Sequence, residues 1–135
     1  MVAPADLTAP AETLMGDRIV LTIPSDPRFR NVATLVLGGI GSRAELPYER
    51  TDDLQLAVLS ALDASSSDDV TVEVDTADGR LEVALGPVRD GSGGDPALAR
   101  VLSRLVDEVS VQHRDGAEWL TLVLQRVPAG EQLNP

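Results

Sequence analysis

The sequence predicts an α+β two-layer sandwich, in which about three helices cover one face of a single mixed β-sheet. Two Asp-Gly dipeptides, at 78–79 and 115–116, each join two alternating apolar runs, and this is the strongest short-range signal of a β-hairpin. Two apolar patterns of helical spacing precede the first hairpin, and a third separates the two hairpins. The predicted order is therefore β-α-α-β-β-α-β-β, which one sheet with its helices on one side satisfies most simply.

Length and composition indicate one small domain and exclude several kinds of chemistry. The 135 residues are 43% hydrophobic and carry a formal net charge of −11, with no cysteine and no lysine. A thiol nucleophile, a thiolate metal site and a Schiff base are therefore excluded, and we expect no metal. The charge disfavours nucleic acid and anionic membrane as partners. We expect a cytoplasmic protein, because no apolar run approaches the ~18 residues that span a bilayer and no signal-peptide pattern opens the sequence.

The domain is predicted over 17–127, between a disordered N-terminal tail at 1–16 and a C-terminal tail at 128–135. Its first strand is the apolar run 18–23, which Pro24 ends. Asp26 and Pro27 then supply the cap and the first position of a helix that is predicted to reach about Leu46. The apolar stripe of that helix consists of Phe29, Val32, Ala33, Val36, Ile40 and Ala44.

The first helix carries two further features. Three glycines lie within 38–41, and each lowers helix stability by about 0.8–1 kcal/mol relative to alanine. Another backbone is therefore expected to pack closely there, either a second helix of the domain or a partner chain. Leu35 and Leu37 lie off the apolar stripe, and a monomer has little reason to expose them. With Arg43 at the end of the helix, these two leucines are the candidate partner-binding residues.

The second helix and the first hairpin follow. The helix is expected to begin near 49–52, after Pro47, because acidic side chains favour a helix N-terminus. Its buried stripe consists of Leu54, Val58, Ala61 and Leu62. Counting outward from the turn at 78–79 pairs Thr76 with Leu81, Val74 with Val83, and Val72 with Leu85. All six side chains then share one face, as a half-buried strand pair requires.

The last three elements are predicted in the same way. Asp95 and Pro96 begin the third helix, whose inward residues are Leu98, Val101, Leu102 and Leu105. Counting outward from 115–116 pairs Val111 with Leu120, Val109 with Leu122, and His113 with Glu118. We interpret the last of these as a cross-strand charge pair.

Four segments resemble the anti-sigma-factor serine kinases of bacteria. They are 37–48 (Leu-Gly-Gly-Ile-Gly-Ser-Arg-Ala, then Leu-Pro-Tyr), Asp53–Val58, Arg80–Leu85 and Leu105–Val109. The resemblance covers residues 18–126 and implies the histidine-kinase-like ATPase fold, which gyrase, a heat-shock chaperone, histidine kinases and mismatch-repair proteins (the GHKL superfamily) share. It also implies protein serine kinase activity with ATP and Mg²⁺, a homodimer, and a sigma factor or an anti-sigma antagonist as partner.

The resemblance does not extend to the residues that bind nucleotide. The family's second helix carries a glutamate base and an asparagine that holds magnesium, and Ser60 and Ala64 stand at those positions. The family's Asp-x-Gly after the central strand binds adenine, and Pro87 and Arg89 stand there. Alanine offers no oxygen to a hard cation and proline offers no side-chain acceptor. The sequence therefore predicts a degenerate ATPase with no catalytic or cofactor-binding residues.

The glycines within 91–94 leave two interpretations open. They are either a displaced phosphate-binding nest or the remnant of a shortened flexible lid, and we favour the remnant.

Three functions remain at this stage. The first, which we favour, is a regulatory protein that sequesters a sigma factor or an antagonist partner without nucleotide chemistry. The second is a serine kinase that binds ATP through atypical residues. The third is an unrelated α+β structural domain.

Overall fold

The computed structural model describes residues 17–77 and 79–126. Five strands form one sheet in the order β1-β2-β3-β5-β4, and the three α-helices cover one of its faces. The strands are β1 (Asp17–Pro24), β2 (Asp69–Ala77), β3 (Arg80–Val88), β4 (Glu108–Arg114) and β5 (Ala117–Gln125). The helices are α1 (Arg30–Arg43), α2 (Tyr48–Leu62) and α3 (Pro96–Leu105), with short 3₁₀ turns at Pro27–Phe29 and Ser92–Gly94. The predicted two-layer α+β class and element order are confirmed.

Both hairpins have the predicted register. In the first, Thr76 pairs with Leu81, Val74 with Val83, and Val72 with Leu85; its turn residue 78 lies outside the described residues. In the second, Val111 pairs with Leu120, Val109 with Leu122, and His113 with Glu118. Positive φ angles of 51° and 81° at Asp115 and Gly116 give the second turn the left-handed backbone that a tight hairpin needs.

The prediction of a mixed sheet is corrected, because every strand pair of the described residues is antiparallel. Two helices connect β1 to β2, and each carries the chain once along the length of the sheet. The chain therefore enters β2 antiparallel to β1. One helix connects β3 to β4, so β4 runs in the same direction as β3. However, β5 lies between them and pairs with both, and the parallel strands never meet.

The core lies between the sheet and the helices and is aliphatic. Its largest fully buried side chains on the strands are Val70, Val74, Leu81, Val83, Leu85, Leu120, Leu122 and Leu124, and on the helices Leu37, Leu54, Val58 and Leu102. The predicted α2 stripe is buried throughout. The opposite face of the sheet carries ion pairs instead, with Glu73 3.3 Å from Arg18 and 3.0 Å from Arg114.

Helix α1 differs from its prediction in extent and in its buried face. Asp26 accepts the N–H of Arg28 as the predicted cap (2.9 Å), but a 3₁₀ turn comes first and α1 ends at Arg43. Phe29 and Val32 of the predicted stripe are 36% and 39% exposed, whereas Leu37 is 2% exposed. The reason is the approach of α2, which turns the face of Leu37 toward the core.

The glycines of α1 explain that approach. A Cβ on Gly41 would lie 2.5 Å from Thr51 Oγ1, and one on Gly38 would lie 3.2 Å from Gln55 Nε2, so both glycines face α2. Gly39 has open space beside it. Of the two predicted neighbours, a second helix of the same domain is thus the one that packs here.

Helix α3 begins as predicted, with Asp95 accepting the N–H of Ala97 at 3.0 Å and Pro96 following. Leu102 is buried, but Val101 is 43% exposed, so its predicted inward position is wrong. The side chain of Val101 lies outside the core because the buried stripe of this ten-residue helix is narrow and centred on Leu102. Among the described residues, no helix is long and apolar enough to cross a membrane.

Candidate functional site

The structure brings together the segments that carry the four family motif positions. The end of α2 meets the end of β3, where Arg89 N donates to Ala64 O at 2.8 Å and Ser66 N donates to Pro87 O at 3.1 Å. Ser60 lies one helical turn before Ala64 and is half-buried. The residues at these positions are therefore brought to one junction of the fold.

The side chains at this junction do not fit a magnesium nucleotide. Ala64 is 4% exposed and presents a methyl group, whereas magnesium needs oxygen ligands. Pro87 has no polar side-chain atom, and Arg89 directs Nη1 to the backbone oxygen of Asp63 at 3.1 Å. The Asp63 carboxylate faces elsewhere, as its one-residue offset predicts, and pairs with Arg30 of α1 at 2.5 Å. The side chains of Ala64, Pro87 and Arg89 therefore offer a nucleotide neither a metal ligand nor an adenine acceptor.

The glycine segment before α3 is occupied by a carboxylate of the same chain. Gly91 N donates to Glu118 Oε1 at 2.8 Å, and Gly93 N donates to Glu118 Oε2 at 2.7 Å. Glu118 is 6% exposed. Of the two interpretations of this segment, the converging amides have the geometry of a nest, and the anion they hold is Glu118.

The environment of Glu118 favours its ionised form. The N–H groups of Gly91 and Gly93 are the main cause that lowers the pKa of this carboxyl, and the charge of His113 contributes less. The cross-strand position of His113 is as predicted. The predicted charge interaction of His113 with Glu118 is therefore present as the smaller contribution, and the hydrogen bonds of Glu118 go to the loop.

The candidate partner-binding residues of α1 separate into two groups. Leu35 is 76% exposed, which leaves a large apolar side chain on the surface. Leu37 is 2% exposed and belongs to the core, so its expected exposure is wrong. The sequence could not separate them, because the helix is apolar on more than one side. Arg43 lies exposed at the end of the helix, and partner binding through Leu35 and Arg43 stays a prediction.

Two surfaces adjoin α1. Between α1 and α2 lies an open groove of about 420 Å³, lined by Gly38, Ser42, Leu46, Tyr48, Thr51, Asp52 and Gln55. Tyr48 at its rim is 84% exposed. On the other flank, Ile19 and Leu21 of the edge strand β1 line a narrow apolar slot with Val36 of α1. The groove is open and mixes polar with apolar side chains, whereas the slot is small and reaches the surface only beside the half-buried Ile19, Leu21 and Val36.

A buried ionic network was not foreseen from the sequence. Arg50, 8% exposed, donates to Asp53 Oδ2 at 3.1 Å, to Asp107 Oδ2 at 2.8 Å and to Gln125 O at 3.2 Å. Asp107 Oδ2 also accepts Gln125 N at 2.7 Å. This network fixes the start of α2 to the end of β5. The sequence indicates this network only through the position of Arg50 next to acidic residues in the first turn of a predicted helix.

The comparison with known proteins gives one group of relatives. The serine-protein kinase RsbW of Listeria innocua serovar 6a is 35% identical over 77 residues, which are 51% of this chain and 49% of that protein. RsbW of Listeria monocytogenes serotype 4a is 38% identical over the same extent. This similarity supports the resemblance to the anti-sigma-factor serine kinases.

No family profile matches the chain, and the chain spans about half the length of the curated RsbW relatives it matches. The resemblance directs attention to the junction of α2 with β3 as the position of a nucleotide site, and the groove beside α1 is a separate surface.

Proposed function

We propose that this domain is a regulatory binding protein that sequesters a sigma factor, or an antagonist of sigma-factor regulation, without nucleotide chemistry. It acts by covering the surface of its partner in a stoichiometric complex in the bacterial cytoplasm. Kinship with RsbW supports the class of regulator. Kinship alone does not carry activity from one protein to another, so the case against turnover depends on the residues of the site.

The observation that carries the proposal is the donor set at the motif positions. Ala64 and Pro87 stand where a magnesium ligand and an adenine acceptor are required, and the amides of Gly91 and Gly93 already bind Glu118. A phosphate entering there would have to displace a buried carboxylate and then meet its negative charge. Each feature weakens nucleotide binding by a different physical route, and together they support a domain that works by binding alone.

The groove between α1 and α2 is the proposed surface for the partner. It carries Tyr48 and Asp52, and the neighbouring Glu45 and Glu49 are exposed. Sigma factors bind DNA and therefore need basic surface. An acidic groove with an apolar rim suits a basic segment that brings one or two apolar anchors, and Leu35 extends the apolar area one turn along α1.

The opposite flank of α1 is the proposed homodimer surface. Among the described residues, β1 pairs with a strand on one side only, and the other side of such an edge strand is a template for pairing with another chain. Beside it, Val32 is 39% exposed and Val36 is half-buried over Ile19 and Leu21. A second copy on this flank would cover apolar area that the isolated domain leaves open, and it would leave the groove free. Sedimentation equilibrium measures this directly, and a monomer at micromolar concentration would contradict it.

Nucleotide titration and partner capture test the proposal together. We expect calorimetry with ATP or ADP and Mg²⁺ to give no saturable binding in the micromolar range. We expect the full chain to capture a sigma factor encoded in the same genome equally well with and without ATP. Saturable micromolar binding with phosphate transfer to a protein serine would favour the kinase instead. Absence of binding to every sigma factor and antagonist of that genome would remove the regulatory proposal.

A further inference from the structure

The loop between β3 and α3 directs two backbone N–H groups at one carboxylate. Gly91 N lies 2.8 Å from Glu118 Oε1 and Gly93 N lies 2.7 Å from Glu118 Oε2, so each oxygen receives one donor. The Glu118 residue is 6% exposed, and a buried carboxylate requires such partners. Two converging backbone amides make an anion-binding concavity that does not depend on the source of the anion.

The backbone of the loop is shaped for this contact. Gly91 has φ +90°, a conformation that residues with a side chain rarely adopt. A Cβ on Gly93 would overlap Val111 Cγ2 of β4 and would lie 3.1 Å from Glu118 Oε2. Only glycine therefore lets the loop approach β4 and β5 closely enough to bring both amides to the carboxylate.

The loop also determines how α3 begins. Asp95 N donates to Ser92 O at 3.1 Å, and Asp95 Oδ1 then accepts the first available amide of α3 from Ala97 at 3.0 Å. The carboxylate of Glu118 thus holds a loop that is continuous with the N-terminus of α3. Without an anion at this point, two partly buried N–H groups would lose their acceptor, at an energetic cost comparable to a lost hydrogen bond each.

We propose that this loop is an oxyanion-binding site whose permanent occupant is the Glu118 carboxylate of the same chain. The ligand class that the amides suit is a carboxylate or a tetrahedral oxyanion such as phosphate, since both offer oxygens at this spacing. The proposal rests on the proposed function in one respect: a domain that works without nucleotide needs another anion to hold this loop. Glu118 is a positioning residue, and external phosphate binds the loop only when Glu118 is removed.

The test follows the Gly91 and Gly93 amides of the full-length chain by NMR, with inorganic phosphate as the probe. In the wild type, we expect phosphate to change neither the chemical shifts nor the exchange rates of the two amides. In Glu118→Ala, we expect both amides to exchange with solvent about tenfold faster, the effect of losing one hydrogen bond of ordinary strength. Added phosphate is then expected to shift both signals and to restore their protection. Glu82→Ala is the matched control, because Glu82 is exposed on the same sheet and its replacement by alanine removes the same charge.

Two results would overturn the proposal. One is a phosphate response of the wild-type amides equal to that of Glu118→Ala, which would mean that Glu118 does not occupy the site. The other is an Ala variant whose Gly91 and Gly93 amides stay protected in the absence of phosphate. If Glu118→Ala does not fold, Glu118→Gln is the second variant. Its neutral amide has one accepting oxygen, so one of the two loop N–H groups loses its acceptor and is expected to exchange faster. None of these readouts involves ATP or a partner protein, so a failure here is distinct from a failure of the proposed function.

Discussion

The guanidinium of Arg50 and the carboxylate of Asp107 lie 2.8 Å apart, although 57 residues separate them in the sequence. Their side chains are only 10% and 16% exposed. Arg50 belongs to the first turn of α2 and Asp107 to the connection between α3 and β4, so the pair joins two parts of the chain that meet only in the folded state. Asp107 also accepts the backbone N–H of Gln125 at 2.7 Å, which extends the link to the last strand.

Removing Arg50 is expected to destabilise the fold strongly. Arg50→Ala leaves the carboxylates of Asp53 and Asp107 in a poorly hydrated place without their cation, and breaking a buried pair in this way costs about 3–5 kcal/mol of unfolding free energy. Urea denaturation followed by circular dichroism measures the loss as a lower midpoint. Arg28→Ala is the control, because Arg28 forms an exposed ion pair with Asp26 and such pairs contribute little. Equal midpoints for the two variants would contradict the role of Arg50.

Two glycines of α1 are expected to respond to alanine in opposite directions. Gly39→Ala meets no atom within 4 Å and removes backbone entropy from the unfolded chain, so it is expected to raise unfolding free energy by about 0.5–1 kcal/mol. Gly41→Ala would meet Thr51 Oγ1 at 2.5 Å, and overpacking of this kind costs about 1–3 kcal/mol. Thermal unfolding measures both. Adding Thr51→Ala to Gly41→Ala is expected to recover most of the loss, and a double variant as unstable as the single one would show that Thr51 is not the obstacle.

The hairpins were predictable to the residue, whereas the site was not. Turn chemistry at 115–116 and strict alternation of apolar residues act over short distances, and they determine pairs such as Val109 with Leu122. The buried face of α1 depends on the approach of α2, and apolar residues on several sides of α1 gave no basis for separating Leu35 from Leu37. Glu118 reaches Gly93 across 25 residues, and no local pattern specifies a contact of that range. The identities of Ala64 and Pro87, by contrast, which the resemblance aligns with motif positions, are visible in the sequence alone.

Acidification is expected to weaken the contribution of Glu118 to stability. The amides of Gly91 and Gly93 lower the pKa of this carboxyl in the folded state, so its stabilisation is fully present above the unfolded glutamate value of about 4.3. It is lost as the pH falls through the lower folded pKa, because protonation removes the acceptor charge. Unfolding midpoints of the wild type and Glu118→Gln, measured from neutral pH downward, are expected to differ most at neutral pH and to converge in acid. A difference that grows on acidification would contradict this assignment.

The groove between α1 and α2 makes a last prediction about how a partner is captured. If Glu49 and Asp52 steer a basic segment of a sigma factor into the groove, Glu49→Gln with Asp52→Asn slows association and reduces its salt dependence. The reason is that dissolved salt screens the attraction between exposed charges. The Debye length falls from about 10 Å at 0.1 M salt to about 3 Å at 1 M, so the attraction acts over a shorter distance at high salt.

The control for this prediction removes the same charge elsewhere. Asp68→Asn with Asp69→Asn changes two exposed acids beyond the far end of α2. This control variant therefore has the same net charge as the groove variant. Stopped-flow association with the captured sigma factor is expected to separate the two variants at low salt, where charges on the protein attract the partner most strongly. At high salt their rates are expected to converge. Equal slowing of both variants at low salt would mean that overall acidity attracts the partner and that the groove does not direct it.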